Sequence, residues 1–63
     1  MIKIGCRFYD EYNGRYLTVN GVGCDPNCFH CVVEEIGDAG EFEVTGTALF
    51  MRNELKKMKE VSA

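Results

Sequence analysis

The stretch that decides the fold is Cys24-Asp25-Pro26-Asn27-Cys28-Phe29-His30-Cys31-Val32-Val33-Glu34-Glu35-Ile36. Its first part contains Asp-Pro-Asn, a composition typical of a turn. Its second part is rich in β-branched and aromatic residues, which favour strands. We therefore predict a turn from Cys24 to Cys28 that leads directly into a strand from Phe29 to Ile36.

The same stretch offers a second interpretation as a metal site. Its cysteines have the spacing C-x3-C-x2-C, with a histidine between the last two, and the four residues are Cys24, Cys28, His30 and Cys31. Thiolates and imidazoles bind zinc, so a zinc-stabilised mini-domain built on Cys24, Cys28 and Cys31 is the alternative hypothesis, with His30 or Cys6 as the fourth ligand. Successive side chains on a strand point to opposite faces. If the strand includes both Cys28 and Cys31, the two thiols diverge and cannot share a metal ion.

Length and composition limit what the chain can be. With 63 residues, 46% of them hydrophobic and 27% charged, residues 1–63 are expected to form one globular domain. A chain of this size buries only about 60% of its unfolded surface, so its core benefits from a partner, a metal or cross-links. No run of eighteen apolar residues and no signal peptide is visible, and we expect a cytoplasmic protein with no membrane segment and reduced cysteines.

The charge is distributed unevenly along the chain. Residues 1–51 contain eight acids against three bases, a net charge of −5, and residues 52–63 contain four bases against two acids, a net charge of +2. An acidic body disfavours nucleic-acid binding, because phosphate contacts dominate that affinity. The only basic group that could serve such binding is Arg52, Lys56, Lys57 and Lys59.

Short turns separate four predicted strands. Ile2, Ile4, Cys6 and Phe8 alternate with polar residues, as in a half-buried strand. Turn residues follow at 10–14, and a second strand is predicted at 15–22, with a bulge or bend near its glycines. After the strand at 29–36, a turn at 37–40 precedes a fourth strand at 41–45. These short connections predict a meander.

The tail changes to helical periodicity. A helix is predicted over 48–61, with Thr47 as its cap, or alternatively a fifth strand over 45–50 followed by a shorter helix capped by Asn53. Its apolar face would cover the sheet. The predicted contributors from the helix are Met51, Leu55 and Met58, and those from the strands are Ile4, Phe8, Leu17, Val19, Phe29, Val33, Phe42 and Val44. The expected fold is mainly β, a small curled antiparallel sheet or SH3-like barrel of four to five strands with a short C-terminal α-helix.

Two features of the sequence resemble known modules. The segment Phe8-Tyr9-Asp10-Glu11-Tyr12 resembles the acidic and aromatic loop of SH3 domains, although the chain lacks the tryptophan of their peptide groove. The succession of short strands and a terminal helical turn is similar, at the level of fold, to small SH3-like β-barrel modules of uncharacterised bacterial proteins. This resemblance implies a bacterial origin and a barrel-like fold, and a fold does not specify a function.

Exposed tyrosines provide the functional hypothesis. Tyr9, Tyr12 and Tyr16 cluster about the first hairpin at positions that alternation or the turn leaves outside the core. Tyrosine is enriched in protein interfaces, so these residues predict a surface for a protein partner or for self-association. No nucleophile or carboxylate is arranged around His30 in a recognisable catalytic motif. We therefore expect a non-enzymatic interaction module or small accessory subunit that needs no cofactor.

Overall fold

A computed structural model of the chain describes residues 2–61, which form five strands and one short helix. The strands are β1 (Arg7–Asp10), β2 (Arg15–Val22), β3 (Cys28–Ile36), β4 (Phe42–Met51) and β5 (Lys59–Val61), and the helix α1 (Arg52–Lys56) lies between β4 and β5. All five strands belong to one antiparallel sheet with the order β4-β3-β2-β1-β5. The first four strands form the predicted meander, and the predicted mainly β fold with a short C-terminal helix is confirmed. The sheet is open, with β4 and β5 at its two edges.

Turn chemistry places the strand ends where the sequence predicts them. The first hairpin is closed by a hydrogen bond of 2.8 Å from the Gly14 amide to the Asp10 carbonyl, and Gly14 has a φ of 65°, which suits glycine. The predicted bulge in β2 is present, because the pairing with β3 shifts between Val19 and Gly21. The predicted turn before β4 is present too, since the Gly40 amide donates to the carbonyl of Gly37 at 3.0 Å.

The hydrophobic core lies on one face of the sheet only. Its buried members are Phe8, Leu17, Val19, Phe29, Cys31, Val33, Phe50 and Leu55. All of these except Leu55 come from the sheet, and Leu55 is the single buried residue of α1, with no exposed surface. Ile2, Cys6, Ala48 and Met58 pack around this cluster. The helix therefore covers the core as predicted, through Leu55 with Met58 beside it.

The first residue of α1 is attached to the turn between β2 and β3. The Arg52 amide donates to the carbonyl of Asn27 at 2.7 Å, and its side chain donates to Asn27 Oδ1 at 3.1 Å and to the Pro26 carbonyl at 3.2 Å. Its guanidinium carbon also lies 5.1 Å from the ring centroid of Phe29. These contacts position the helix over the core.

The prediction that Phe42 and Val44 belong to the core is wrong. Phe42 is 47% exposed and Val44 is 64% exposed, whereas Phe50 on the same strand is buried. The pairing of β3 with β4 shifts between Val33 and Glu34, so β4 carries one extra residue, Thr45. An extra residue moves every side chain on one side of it to the opposite face.

The expected strand at the N-terminus is shorter than predicted, and Ile4 is not in the core. Strand β1 begins at Arg7, and the chain turns before it, with the Cys6 amide donating to the Lys3 carbonyl at 3.0 Å. Gly5 has a φ of 97°, which breaks the extended conformation. Ile4 consequently points outward with 68% of its surface exposed, while Ile2 and Cys6 remain against the core.

The helix predicted over 48–61 is limited to Arg52–Lys56. The segment before it continues β4, because Ala48 and Phe50 pair with Cys31 and Phe29 in the core, and the segment after it pairs with β1 as β5. Neither Thr47 nor Asn53 caps the helix, because the residue before the first helical residue is Met51. Met51 was also predicted to contact the core, and it is instead 42% exposed. Strand pairing thus overrides helical periodicity at both ends. Among residues 2–61, no helix is long and apolar enough to cross a membrane.

The bulge in β4 predicts opposite sensitivities for two phenylalanines of the same strand. Phe50→Ala should lower the free energy of unfolding by about 3 kcal/mol, because it empties part of the core, and Phe42→Ala by about 1 kcal/mol or less. Urea unfolding followed by circular dichroism measures both. An equal or larger loss for Phe42→Ala would contradict the assigned faces.

Candidate interaction surface

The hairpin of β1 and β2 places two tyrosines side by side on the sheet face opposite the core, which we call the outer face. Tyr9 and Tyr16 are directly paired in the register, and their ring centroids are 4.9 Å apart at an interplanar angle of 42°. The ring of Tyr16 also meets Phe42 of β4 edge-on, at 5.1 Å and 85°. Both arrangements are favourable for aromatic rings. Three aromatic side chains from three strands therefore form one continuous surface.

Arg7 completes this surface from the start of β1. Its guanidinium carbon lies 4.7 Å from the ring centroid of Tyr16 and 5.5 Å from that of Phe42, within the range of cation–π attraction. The same group forms a salt bridge of 3.4 Å with Glu34, and both side chains are partly exposed. We call Arg7, Tyr9, Tyr16 and Phe42 the aromatic patch. Two of its members, Arg7 and Phe42, were not predicted as site residues, because their proximity depends on the strand register.

Tyr12 lies apart from the aromatic patch. It occupies the tip of the first hairpin and is 91% exposed, the largest exposure among the large hydrophobic side chains of residues 2–61. An open cleft of about 570 Å³ connects it to the patch, since Tyr9 and Tyr12 both line it, together with Lys57 and Lys59. Of the three predicted tyrosines, Tyr9 and Tyr16 are half-buried and in contact with each other, and Tyr12 is exposed and lines the same cleft as Tyr9.

Asp10 holds the hairpin that carries these tyrosines. Its carboxylate accepts hydrogen bonds from the Asn13 amide at 3.3 Å, from Asn13 Nδ2 at 2.8 Å and from Arg15 Nε at 3.0 Å. Only 6% of its surface is exposed. Desolvation by this burial raises the pKa of Asp10, but the hydrogen bonds from Asn13 and Arg15 outweigh it, and the pKa lies below its ordinary value of 3.8. A charged carboxylate is therefore part of the folded hairpin.

The predicted metal ligands are distributed along a regular strand. Both Cys28 and Cys31 lie in β3, where Cys31 is buried in the core and Cys28 is on the alternate, half-buried face. His30 Nδ1 forms a hydrogen bond with Asn20 Oδ1, and Cys24 is exposed in the turn. The structure therefore separates Cys31 from the other three residues. Within residues 2–61 no group of three or more histidine, cysteine or acidic residues has the arrangement of a metal site.

The environments of the thiols differ strongly. Burial in the core raises the pKa of Cys31 to about 11, with a smaller contribution from the neighbouring Cys28. Cys28 lies against Gly23, where a Cβ atom would approach the Cys28 sulfur to 2.7 Å, so the close turn requires glycine at this position. All four cysteines, which fall within the described residues, are free thiols. Cys31 functions as a hydrophobic core residue, and Cys24 is the accessible thiol.

Comparison with known proteins yields no family for this chain. It matches no protein-family model, and no curated protein or solved structure is significantly similar to it. The resemblance to small SH3-like modules of bacterial proteins consequently stays a prediction. A function for the aromatic patch and Tyr12 is therefore inferred from their geometry.

The lowered pKa of Asp10 predicts a pH-dependent contribution to stability. This contribution is present above the ordinary pKa of 3.8 and is lost as the pH falls through the lower pKa of the folded protein. Asp10→Asn should therefore cost about 2 kcal/mol at neutral pH, and the difference from wild type should shrink in acid. Unfolding curves measured across the acid range test this, with the exposed turn variant Asp38→Asn as the control. A difference that does not change with pH would contradict it.

The burial of Cys31 predicts selective thiol labelling. Under native conditions at slightly basic pH, iodoacetamide should modify Cys24 at least about 100-fold faster than Cys31, because only an accessible thiolate reacts. Peptide mass spectrometry at successive times measures each rate. In urea the rates should converge. Equal native rates would show that Cys31 is not enclosed in the core.

Proposed function

We propose that this chain is a non-enzymatic protein-interaction module or small accessory subunit that binds a protein partner through the aromatic patch and the neighbouring Tyr12. The observation that carries the proposal is the contact between the side chains of Arg7, Tyr9, Tyr16 and Phe42 on the outer face. No helix or loop within residues 2–61 contributes to this cluster. The cluster is therefore held entirely by the strands of the sheet.

The residue types of the patch support a binding role. Tyrosine and arginine are enriched among the residues that dominate binding energy in protein interfaces. Here the arginine and the tyrosines hold one another in position, so little side-chain freedom is lost when a partner binds. Arg7 also keeps part of its charge accessible, since its side chain is 32% exposed. A partner with an acidic group beside an apolar side chain would complement this patch.

The remaining chemistry of the chain favours binding over catalysis. The single histidine is hydrogen bonded to an asparagine, and the buried thiol has a raised pKa, which suppresses its nucleophilicity. A cytoplasmic location and a bacterial origin belong to the same proposal. Free thiols favour the cytoplasm because they remain reduced there.

Substitution of the tyrosines tests the proposal. Tyr12→Ala and Tyr16→Ala should each raise the Kd for a protein partner about 30-fold, the effect typical of a dominant interface residue. Partners retained by the tagged wild-type chain are quantified by mass spectrometry, and each Kd is then measured with the isolated partner. Val22→Ala is the matched control, because Val22 is 60% exposed and lies outside the patch.

Two results decide the outcome. Loss of the partner in the tyrosine variants but not in the control, with an unchanged circular dichroism spectrum, supports the proposal. If both tyrosine variants retain every partner and the oligomeric state of the wild type, the aromatic patch is not the binding surface.

A further inference from the structure

The two edges of the sheet differ in how they are protected. Within the described residues strand β5 has three residues, and two of them, Lys59 and Glu60, are charged and exposed. Strand β4 has ten residues, and no strand within residues 2–61 pairs with its outer edge. Natural proteins protect exposed edges by shortness, charge or proline, because unpaired backbone groups are a template for another strand. Strand β5 combines shortness with charge, whereas in β4 the charge of Glu43 and the bulge at Thr45 lie in its first half and residues 46–51 have no such protection.

The side chains of β4 also suit pairing with another strand. The strand reads FEVTGTALFM, which contains one charged residue and neither proline nor lysine. Four of its apolar side chains remain exposed on the outer face: Phe42 at 47%, Val44 at 64%, Leu49 at 60% and Met51 at 42%. Exposed apolar side chains on a long unpaired edge indicate an interaction site.

The bulge makes this strand complementary to a second copy of itself. When Thr45 is set aside as the extra residue, the strand is symmetric about Thr47, and an antiparallel copy brings Thr47 opposite its own counterpart. Phe42 then faces Met51 of the other copy, and Val44 faces Leu49. Apart from Thr45, every residue of β4 then lies opposite a residue whose side chain is on the same face of the sheet. Apolar cross-strand pairs of this kind stabilise antiparallel sheets.

The charges at the two ends of β4 are also complementary in this arrangement. No lysine or arginine occurs between Arg15 and Arg52. The N-terminal end of β4 is acidic, because Glu35, Asp38, Glu41 and Glu43 lie near it. The C-terminal end has a smaller basic excess, with Arg52, Lys56 and Lys57 against Glu54 and Asp25. An antiparallel copy places the acidic end of each chain beside the basic end of the other. Such complementarity favours a second copy over an unrelated extended peptide.

We propose that two copies of this chain associate along β4 about a two-fold axis, and that the two five-stranded sheets become one continuous sheet. Each strand supplies the missing hydrogen-bond partners of the other edge. The exposed apolar side chains of β4 become paired across the axis. Phe42 of the aromatic patch lies at this seam, whereas Arg7, Tyr9 and Tyr16 on β1 and β2 remain available to a different partner.

Charged substitutions at the symmetry axis test this association. Thr47→Lys places two lysines directly opposite each other and should raise the dimer Kd at least about 10-fold, and Thr47→Glu should do the same. An equimolar mixture of the two variants should form heterodimers, because opposite charges then meet. Sedimentation velocity from about 1 to about 100 μM and native mass spectrometry measure the species. Glu60→Gln is the control for Thr47→Lys, since it raises the net charge by the same amount at the other edge.

Amide hydrogen exchange of the unmodified chain provides a measurement that needs no variant. Protection of the β4 amides should increase with protein concentration, whereas protection of the β5 amides should not. A wild-type chain that stays monomeric, or a mixture of the Thr47→Lys and Thr47→Glu variants that forms no heterodimer, overturns the inference. A dimer that persists in Thr47→Lys but dissociates in Tyr16→Ala also overturns it and places self-association on the aromatic patch. Loss of the dimer in Thr47→Lys with unchanged binding of a protein partner supports it independently of the proposed function.

Discussion

The structure depends on a hydrophobic core that exists on one side of a single sheet. Leu55, from a helix of five residues, completes this core and has no exposed surface. Within residues 2–61 the single helix lies on the core side of the sheet, and a domain of this size has little stability to spare. The packing of one helical leucine against Phe8, Phe29 and their neighbours therefore supplies a large share of a small total stability.

The uncovered side of the sheet follows from the same constraint. It retains Val44 and Leu49 at 64% and 60% exposure, together with the aromatic patch. A large apolar surface of this kind is uncommon on isolated small proteins and is typical of proteins that associate. Within the patch, the rings and the guanidinium of Arg7 cover one another, which limits the apolar area that water must contact. The one-sided core thus accounts for the apolar side chains that the outer face exposes.

The sequence predicts what depends on local chemistry. Strands β2 and β3, the first hairpin and the divergence of Cys28 from Cys31 follow from alternation and turn residues, and the proximity of Tyr9 and Tyr16 follows from the hairpin they share. The pairing register between segments that are far apart in the sequence cannot be predicted from these local patterns. An interior glycine such as Gly46 does not reveal whether the strand bulges beside it, so the outward position of Phe42 was missed. The pairing of β5 with β1 joins opposite ends of the chain, and helical periodicity obscured it.

The attachment of Arg52 to Asn27 and Pro26 couples two parts of the molecule that are far apart in sequence. The turn containing Cys24 and the helix carrying Leu55 are tied together, because the first helical amide and the arginine side chain both donate hydrogen bonds to that turn. Loss of the acceptors in this turn would therefore remove the attachment of the helix that covers the core. An exposed turn of this protein therefore helps to position the helix that supplies Leu55 to the core.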